Sequence, residues 1–273
     1  MKKLFAKTEK ENCGCDKKHS DSTRTPVQKV IMTALACVFI LSAAWLIRGA
    51  VDYYRADKLY SELADKIFEA DFGEDIGKAE AMQKNLKGLR AAYPDVYGYI
   101  YIDGTRISFP IVKGEDNEYY LKRAYNGRFM VCGAIFADFQ SEDKLEDNRN
   151  TVLYGHNMLD GNMFNNVMQF LEEDVFNSKQ IEIYTEEGLY IYEPFVISKT
   201  RYDYPYFEMQ FDTDEDFIAF CEKMQENSLY NKGMTFTGED KIITLSTCTP
   251  STDVEWYHIG RYALHAKLVE VQK

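Results

Sequence analysis

Val30 to Ile47 is an eighteen-residue run without a charged side chain, set between Lys29 and Arg48. It constrains the chain before any packing is considered. At about 1.5 Å per residue it spans roughly 27 Å as a helix, close to the hydrocarbon thickness of a bilayer. A cleaved signal peptide would end soon after its small residues, but Trp45-Leu46-Ile47 carries the apolar character past Ser42, Ala43 and Ala44. Cys37 sits mid-run with little apolar sequence before it, which disfavours a lipidation site. An uncleaved transmembrane anchor over residues 30–47 is therefore expected. Residues 1–29 carry eight Lys/Arg against four Asp/Glu, a net of +4, while the whole chain is −12, so residues 30–273 hold −16. A short basic tail stays in the cytoplasm. The acidic bulk is then outside.

The tail contains Cys13 and Cys15 with only His19 nearby, too few ligands for a metal site, and it is expected to be disordered. Beyond the anchor lie Cys132, Cys221 and Cys248. An odd count does not suggest a disulfide framework and leaves a free thiol. The acidity, with no basic cluster beyond the tail, argues against nucleic-acid binding.

Residues 48–92 are rich in Ala, Leu, Lys, Glu and Asp, and Val51, Tyr54, Leu59, Leu63 and Ile67 recur at roughly helical spacing. This predicts a helix leaving the membrane, a break at Asp71-Phe72-Gly73, and a second helix from about Lys78 to Ala91, ended before Pro94. From Tyr93 onward the pattern changes to short β-type runs with Gly and Asp turns, so residues 93–273 read as one mainly β domain. Gln180–Tyr184 and Leu189–Ser198 read as a hairpin. Phe217, Phe220, Cys221 and Met224 follow an i, i+3, i+4, i+7 pattern, predicting a helix within 212–230 capped by Asp212 or Thr213.

Ile242-Ile243-Thr244-Leu245-Ser246-Thr247-Cys248 is a β-branched, apolar run that stops on a cysteine just before Thr249-Pro250-Ser251. It reads as a buried strand placing a small nucleophilic side chain at its end. A thiol needs a base to become a thiolate and a positive group to steady the charge that develops. His156, in Tyr154-Gly155-His156-Asn157, lies upstream, and Arg261 is the one arginine after Cys248. Taken singly, each has a plain structural reading: a core cysteine, a turn histidine and a strand-edge charge.

Together they carry a resemblance. Thr244–Cys248 has the form TLxTC and resembles the active-site signature of the sortases, cysteine transpeptidases of Gram-positive cell surfaces. Val96–Ile102 with Ile107–Val112, Gly133–Asp138 and Thr151–Met158 are similar to further sortase blocks, in the same order. The resemblance implies an α+β fold dominated by a closed eight-stranded β-barrel, with N-terminal helices and a helix inserted before the cysteine strand. That inserted helix is similar to class B. The resemblance further implies Cys248 as nucleophile, His156 as proton donor and acceptor, Arg261 as oxyanion or substrate-backbone donor, and no metal or cofactor. Leu245, Ser246, Thr247, Asn157, Trp256 and Tyr257 are candidate substrate-binding residues. Strand alternation puts Ser246 and Thr247 on opposite faces, so at most one should face the cleft. Asn157 either orients the imidazole or simply forms a turn. His258 and His265 are rival bases.

By resemblance, a thioacyl-enzyme forms by attack on a threonine carbonyl in the C-terminal sorting motif of a secreted surface protein. The acyl group then passes to a peptidoglycan precursor or cross-bridge amine. A pilin lysine is the alternative acceptor, and the alternative to catalysis is that the chain is a non-catalytic surface protein retaining the fold. Papain-like and cell-wall peptidases place Cys before His, the reverse of this chain. Thirteen positions separate Cys248 from Arg261, a long interval that leaves acceptor specificity open. Trp256 and Tyr257 in that loop could line the acceptor site or cover the thiol.

Overall fold

The computed structural model describes residues 25–68, 77–256 and 258–273. The tail with Cys13, Cys15 and His19, the expected break at Asp71-Phe72-Gly73, and Tyr257 lie outside the described residues. Contacts divide the chain into a unit up to Arg48 and a compact unit Gly49–Lys273. The helix α1, Pro26–Phe68, is long and apolar enough to cross a membrane. Its residues from Val30 to Ile47 include many exposed large apolar side chains, Phe39, Leu41 and Trp45 among them, a surface that water disfavours and lipid would cover.

Among its described residues, the larger unit holds eight strands: β1 Val96–Tyr101, β2 Ser108–Lys113, β3 Ile135–Ala137, β4 Asn150–Tyr154, β5 Ile181–Tyr184, β6 Leu189–Arg201, β7 Ile242–Cys248 and β8 Gly260–Gln272. They close into a barrel in the order β1-β2-β3-β4-β7-β8-β6-β5. Closure removes exposed sheet edges. The expected eight-stranded barrel is what the chain forms. Most pairings are antiparallel, but β2 with β3 and β4 with β7 are parallel. The parallel β4–β7 pair brings two strand C-termini to the same end of the barrel.

Among the described residues, the α-helices are α2 Lys78–Ala92, α3 Glu173–Ser178 and α4 Asp214–Glu226, besides α1. On α1 the buried stripe is Ala56, Tyr60, Leu63 and Ile67. The expected stripe was one face too broad: Val51 and Tyr54 are exposed, because the face that meets the barrel is set by the 4-3-4 spacing of the buried four. Tyr60 anchors it, with its ring edge-on to Phe109 at 5.3 Å and its hydroxyl donating to Gly133 O at 2.8 Å. Helix α4 lies before β7, as the pattern predicted, and Thr213 rather than Asp212 caps it. Thr213 and Asp216 form a reciprocal capping box. Phe217, Cys221 and Met224 are buried against Phe195 and Val196 of β6.

His265 of β8 is fully buried and cannot act as a base at a cleft. It belongs to a polar chain across three strands. Thr244 Oγ1 donates to Asn150 Oδ1 at 2.8 Å, which commits the hydroxyl proton, so His265 Nδ1–H donates to Thr244 Oγ1 at 2.9 Å. His265 Nε2 is left buried without a partner. Burial holds its pKa down to about 3 from the ordinary 6.5. The unfolded chain binds this proton below about pH 6.5 and the folded chain does not. Stability contributed by neutral His265 is therefore present above pH 6.5 and lost as pH falls from there towards 3. In His265→Gln, the melting temperature should fall less steeply between about pH 6.5 and 4 than in the wild type. An identical slope in thermal melts would show that His265 is not the group responsible.

Candidate active site

Three sequence-distant residues meet through strand register. Tyr154 of β4 pairs with Ser246 of β7, and the Gly155 N–H continues the ladder to Ser246 O at 3.1 Å. His156 and Cys248 are each two residues beyond that pair, so they leave neighbouring strand ends side by side. On the other flank of β7, Cys248 pairs with Arg261, the second residue of β8. Cys248, His156 and Arg261 all line one cavity of about 290 Å³.

Gly155 is required by this arrangement. A Cβ there would lie 2.5 Å from Ile135 Cδ1 and 2.7 Å from the Phe164 ring. Gly155→Ala should cost about 1–3 kcal/mol of stability through overpacking. The strain must also push on the segment carrying His156. A thermal melt equal to the wild type would show that this close packing is not needed.

His156 Nε2 is 2.8 Å from Leu121 O; a carbonyl only accepts, so this nitrogen carries a proton. Arg261 Nη1 donates to its neighbour Gly260 O at 2.8 Å, and its guanidinium carbon lies 6.0 Å from the Tyr202 ring centroid. The Tyr206 hydroxyl is 2.8 Å from Ser246 Oγ, with Arg261 as a cationic neighbour. Burial pushes the Tyr206 pKa up, so the phenol is neutral at physiological pH. The arrangement combines a half-buried thiol, an imidazole and a guanidinium at one opening, which is the equipment for acyl transfer through a covalent thioester.

The structure corrects several expectations. Leu245 is fully buried in the barrel core and does not line the cavity. Ser246 and Thr247 both line it, although strand alternation allowed only one. Thr247 Oγ1 donates to Gly155 O at 2.8 Å, tying β7 to the segment before His156. Asn157 does not hold the imidazole; its amide nitrogen donates to Cys248 O at 2.7 Å. Trp256 is absent from the cavity wall and packs under Lys199, whose Nζ lies 4.8 Å from its ring centroid. Lys199 also pairs with Asp253 at 2.6 Å, so this loop is tied to β6. Tyr257 lies outside the described residues. His258 is exposed in a turn at φ 68° and is not part of the wall.

Sequence reasoning missed Asn117, Tyr202, Tyr206 and Phe207, all on the cavity wall. The last three belong to the aromatic segment Tyr202-Asp203-Tyr204-Pro205-Tyr206-Phe207 after β6. That density of rings in a loop was a signal in itself.

The sortase domain model matches residues 100–269. The chain belongs to the sortase family. It is 35% identical over 190 residues to sortase B of Listeria monocytogenes, covering 69% of this chain and 75% of that protein. Sortase B of Staphylococcus aureus is 31% identical over 193 residues, covering 70% and 78%. Among solved structures, sortase B from Bacillus anthracis superposes with a TM-score of 0.68 at 36% identity, covering 81% of this chain and 99% of that one. A sortase B–substrate complex from S. aureus gives a TM-score of 0.70 at 26% identity, covering 81% and 100%. This sortase is thus of class B, and a cysteine transpeptidase.

The sortase has three cysteines beyond Arg48, and they differ in environment. Burial pushes the Cys132 and Cys221 thiols up to about 12, while Cys248 is partly exposed at the cavity. Iodoacetamide should therefore modify Cys248 well before the other two, because only an accessible thiol that can ionise reacts. Peptide mapping showing equal modification of the three would contradict this.

Proposed function

We propose that this sortase is a single-pass membrane protein with a cytoplasmic tail (residues 1–29), an anchor (30–47), a helical juxtamembrane segment (48–92) and an extracytoplasmic catalytic domain (93–273). Its substrates are secreted surface proteins with a C-terminal sorting motif, cleaved after threonine and joined to a peptidoglycan amine. The observation that carries the reading is the meeting of Cys248, His156 and Arg261 on one cavity wall. The apolar helix and the basic tail support the topology. A structure of sortase B in complex with triglycine favours a peptidoglycan-type amine as acceptor here.

In this scheme the Cys248 thiolate attacks the threonine carbonyl and a tetrahedral oxyanion forms. Arg261 stabilises that charge. Collapse breaks the C–N bond, and the departing amine takes a proton from the His156 imidazolium. Because Nε2 is held by Leu121 O, Nδ1 is the nitrogen that gives and takes this proton. The acceptor amine then attacks the thioester, passes a proton to His156, and restores the thiolate. Water competes at this second step, so the acceptor must be positioned better than water.

The test is turnover by the purified full chain of a panel of threonine-containing motif peptides, with triglycine or a lysine side chain as acceptor. The reading predicts ligated product with triglycine. Ligation with the lysine side chain alone would replace it by the pilin-joining activity, and no turnover with any peptide would remove it.

A further inference from the structure

The carbonyl of Cys248 lies one rung past the last backbone bond between β4 and β7. That last rung runs from Gly155 N–H to Ser246 O at 3.1 Å. Two residues further along both segments, the equivalent bond would run from Asn157 N–H to Cys248 O. The Asn157 side chain replaces it: Nδ2 donates to Cys248 O at 2.7 Å and also contacts Met168 Sδ at 3.2 Å. Asn157 Oδ1 accepts from Asn165 Nδ2 at 2.7 Å. A donor on one side and an acceptor on the other fix which way the amide faces.

The same loop returns to hold His156, whose carbonyl accepts from Phe164 N–H at 3.0 Å. Between them, Met163 is fully buried and adopts φ 55°, ψ −134°, a conformation that side chains disfavour. Such strain persists only where surrounding bonds over-determine it. Here they are the Asn157–Met163 bridge and the Phe164–His156 bond. One pinned loop therefore grips the main chain of both His156 and Cys248.

We propose that Asn157, oriented by Asn165, is a positioning residue that ties the Cys248 main chain to the loop carrying His156 and sets the thiol–imidazole spacing. This rests on the reading of Cys248 as nucleophile and His156 as proton carrier. Asn157 acts through the backbone of the nucleophile and not through the substrate.

Asn157→Asp separates donation from space filling. It keeps the size and the acceptor for Asn165, but it turns a carboxylate oxygen towards Cys248 O. With a motif peptide turned over by the wild type, both Asn157→Asp and Asn157→Ala should lower kcat by about 10²-fold, with KM little changed. The aspartate variant should be at least as impaired as the alanine one. The pH profile of Cys248 alkylation should shift in both, since imidazole and thiol no longer sit at the same spacing. Asn165→Ala, which leaves Asn157 and the cavity wall intact, should lower kcat in the same direction and guards against a folding defect in the Asn157 variants. Wild-type kcat in Asn157→Asp, a milder loss in it than in Asn157→Ala, or a loss confined to KM would overturn the proposal. Turnover surviving in Cys248→Ala would instead overturn the underlying reading. An inactive Cys248→Ala beside a fully active Asn157→Asp would overturn this inference alone.

Discussion

Cys248→Ala should reduce acyl transfer to background, a loss on the order of 10⁶-fold, while leaving the fold and the melting temperature nearly unchanged. The side chain lies at the end of β7 and is partly exposed, so truncating it opens no core cavity. The strand itself is held by backbone pairing to β4 and β8 and by Asn157, none of which uses the thiol. Substrate binding should survive, because the wall is built by Tyr206, Phe207, Asn117 and their neighbours. Binding of a motif peptide by calorimetry together with absent turnover is the expected pattern. Residual turnover above about one per cent of the wild type would place the nucleophile elsewhere.

Arg261→Lys is expected to be damaging although it keeps the charge. One arm of the Arg261 guanidinium is committed to Gly260 O, and the group also neighbours Tyr206 and lies near the Tyr202 ring. A guanidinium can satisfy the backbone with one N–H and still offer others, in a fixed plane, to an oxyanion or a peptide carbonyl. A lysine ammonium is a point charge on a flexible stem and cannot hold both directions at once. Removing one transition-state donor typically costs roughly 10²–10³ in rate, about 3–4 kcal/mol. A fall of that size in kcat is expected, with Cys248 alkylation largely preserved. Near-wild-type turnover would limit Arg261 to a charge effect and send the search for the donor to the backbone near Cys248.

Much of the barrel was legible because its strands carry period-2 or continuous apolar signals bounded by turn residues. The hairpin of β5 and β6 lies where Gln180–Tyr184 and Leu189–Ser198 predicted it, although β6 runs on to Arg201. The extension is polar, and only its pairing with β8 reveals it as strand. Helix α4 was legible from one aromatic stripe and its cap. The cavity wall was less legible. Cys248, His156 and Arg261 stood out through residue chemistry and order, but Leu245 was assigned to the substrate side by its proximity in sequence alone. Its fully buried position follows from strand pairing, which a local reading cannot see. Trp256 was expected near the thiol because it lies in the Cys248–Arg261 loop, yet the contacts of Lys199, far upstream in β6, with Asp253 and Trp256 draw that loop to β6. Tyr206 and Asn117 reach the cavity from connections whose direction is a tertiary property.

The most direct test of the account is to trap the covalent intermediate. The full chain would be mixed with a motif peptide in the absence of acceptor, quenched in acid, and read by intact-mass and peptide-mapping mass spectrometry. The account predicts a mass increase equal to the acyl portion ending in threonine, mapped to Cys248 and discharged by hydroxylamine or by triglycine with formation of a new amide. Cleaved peptide without any adduct on Cys248, or an adduct mapped to another residue, would contradict it.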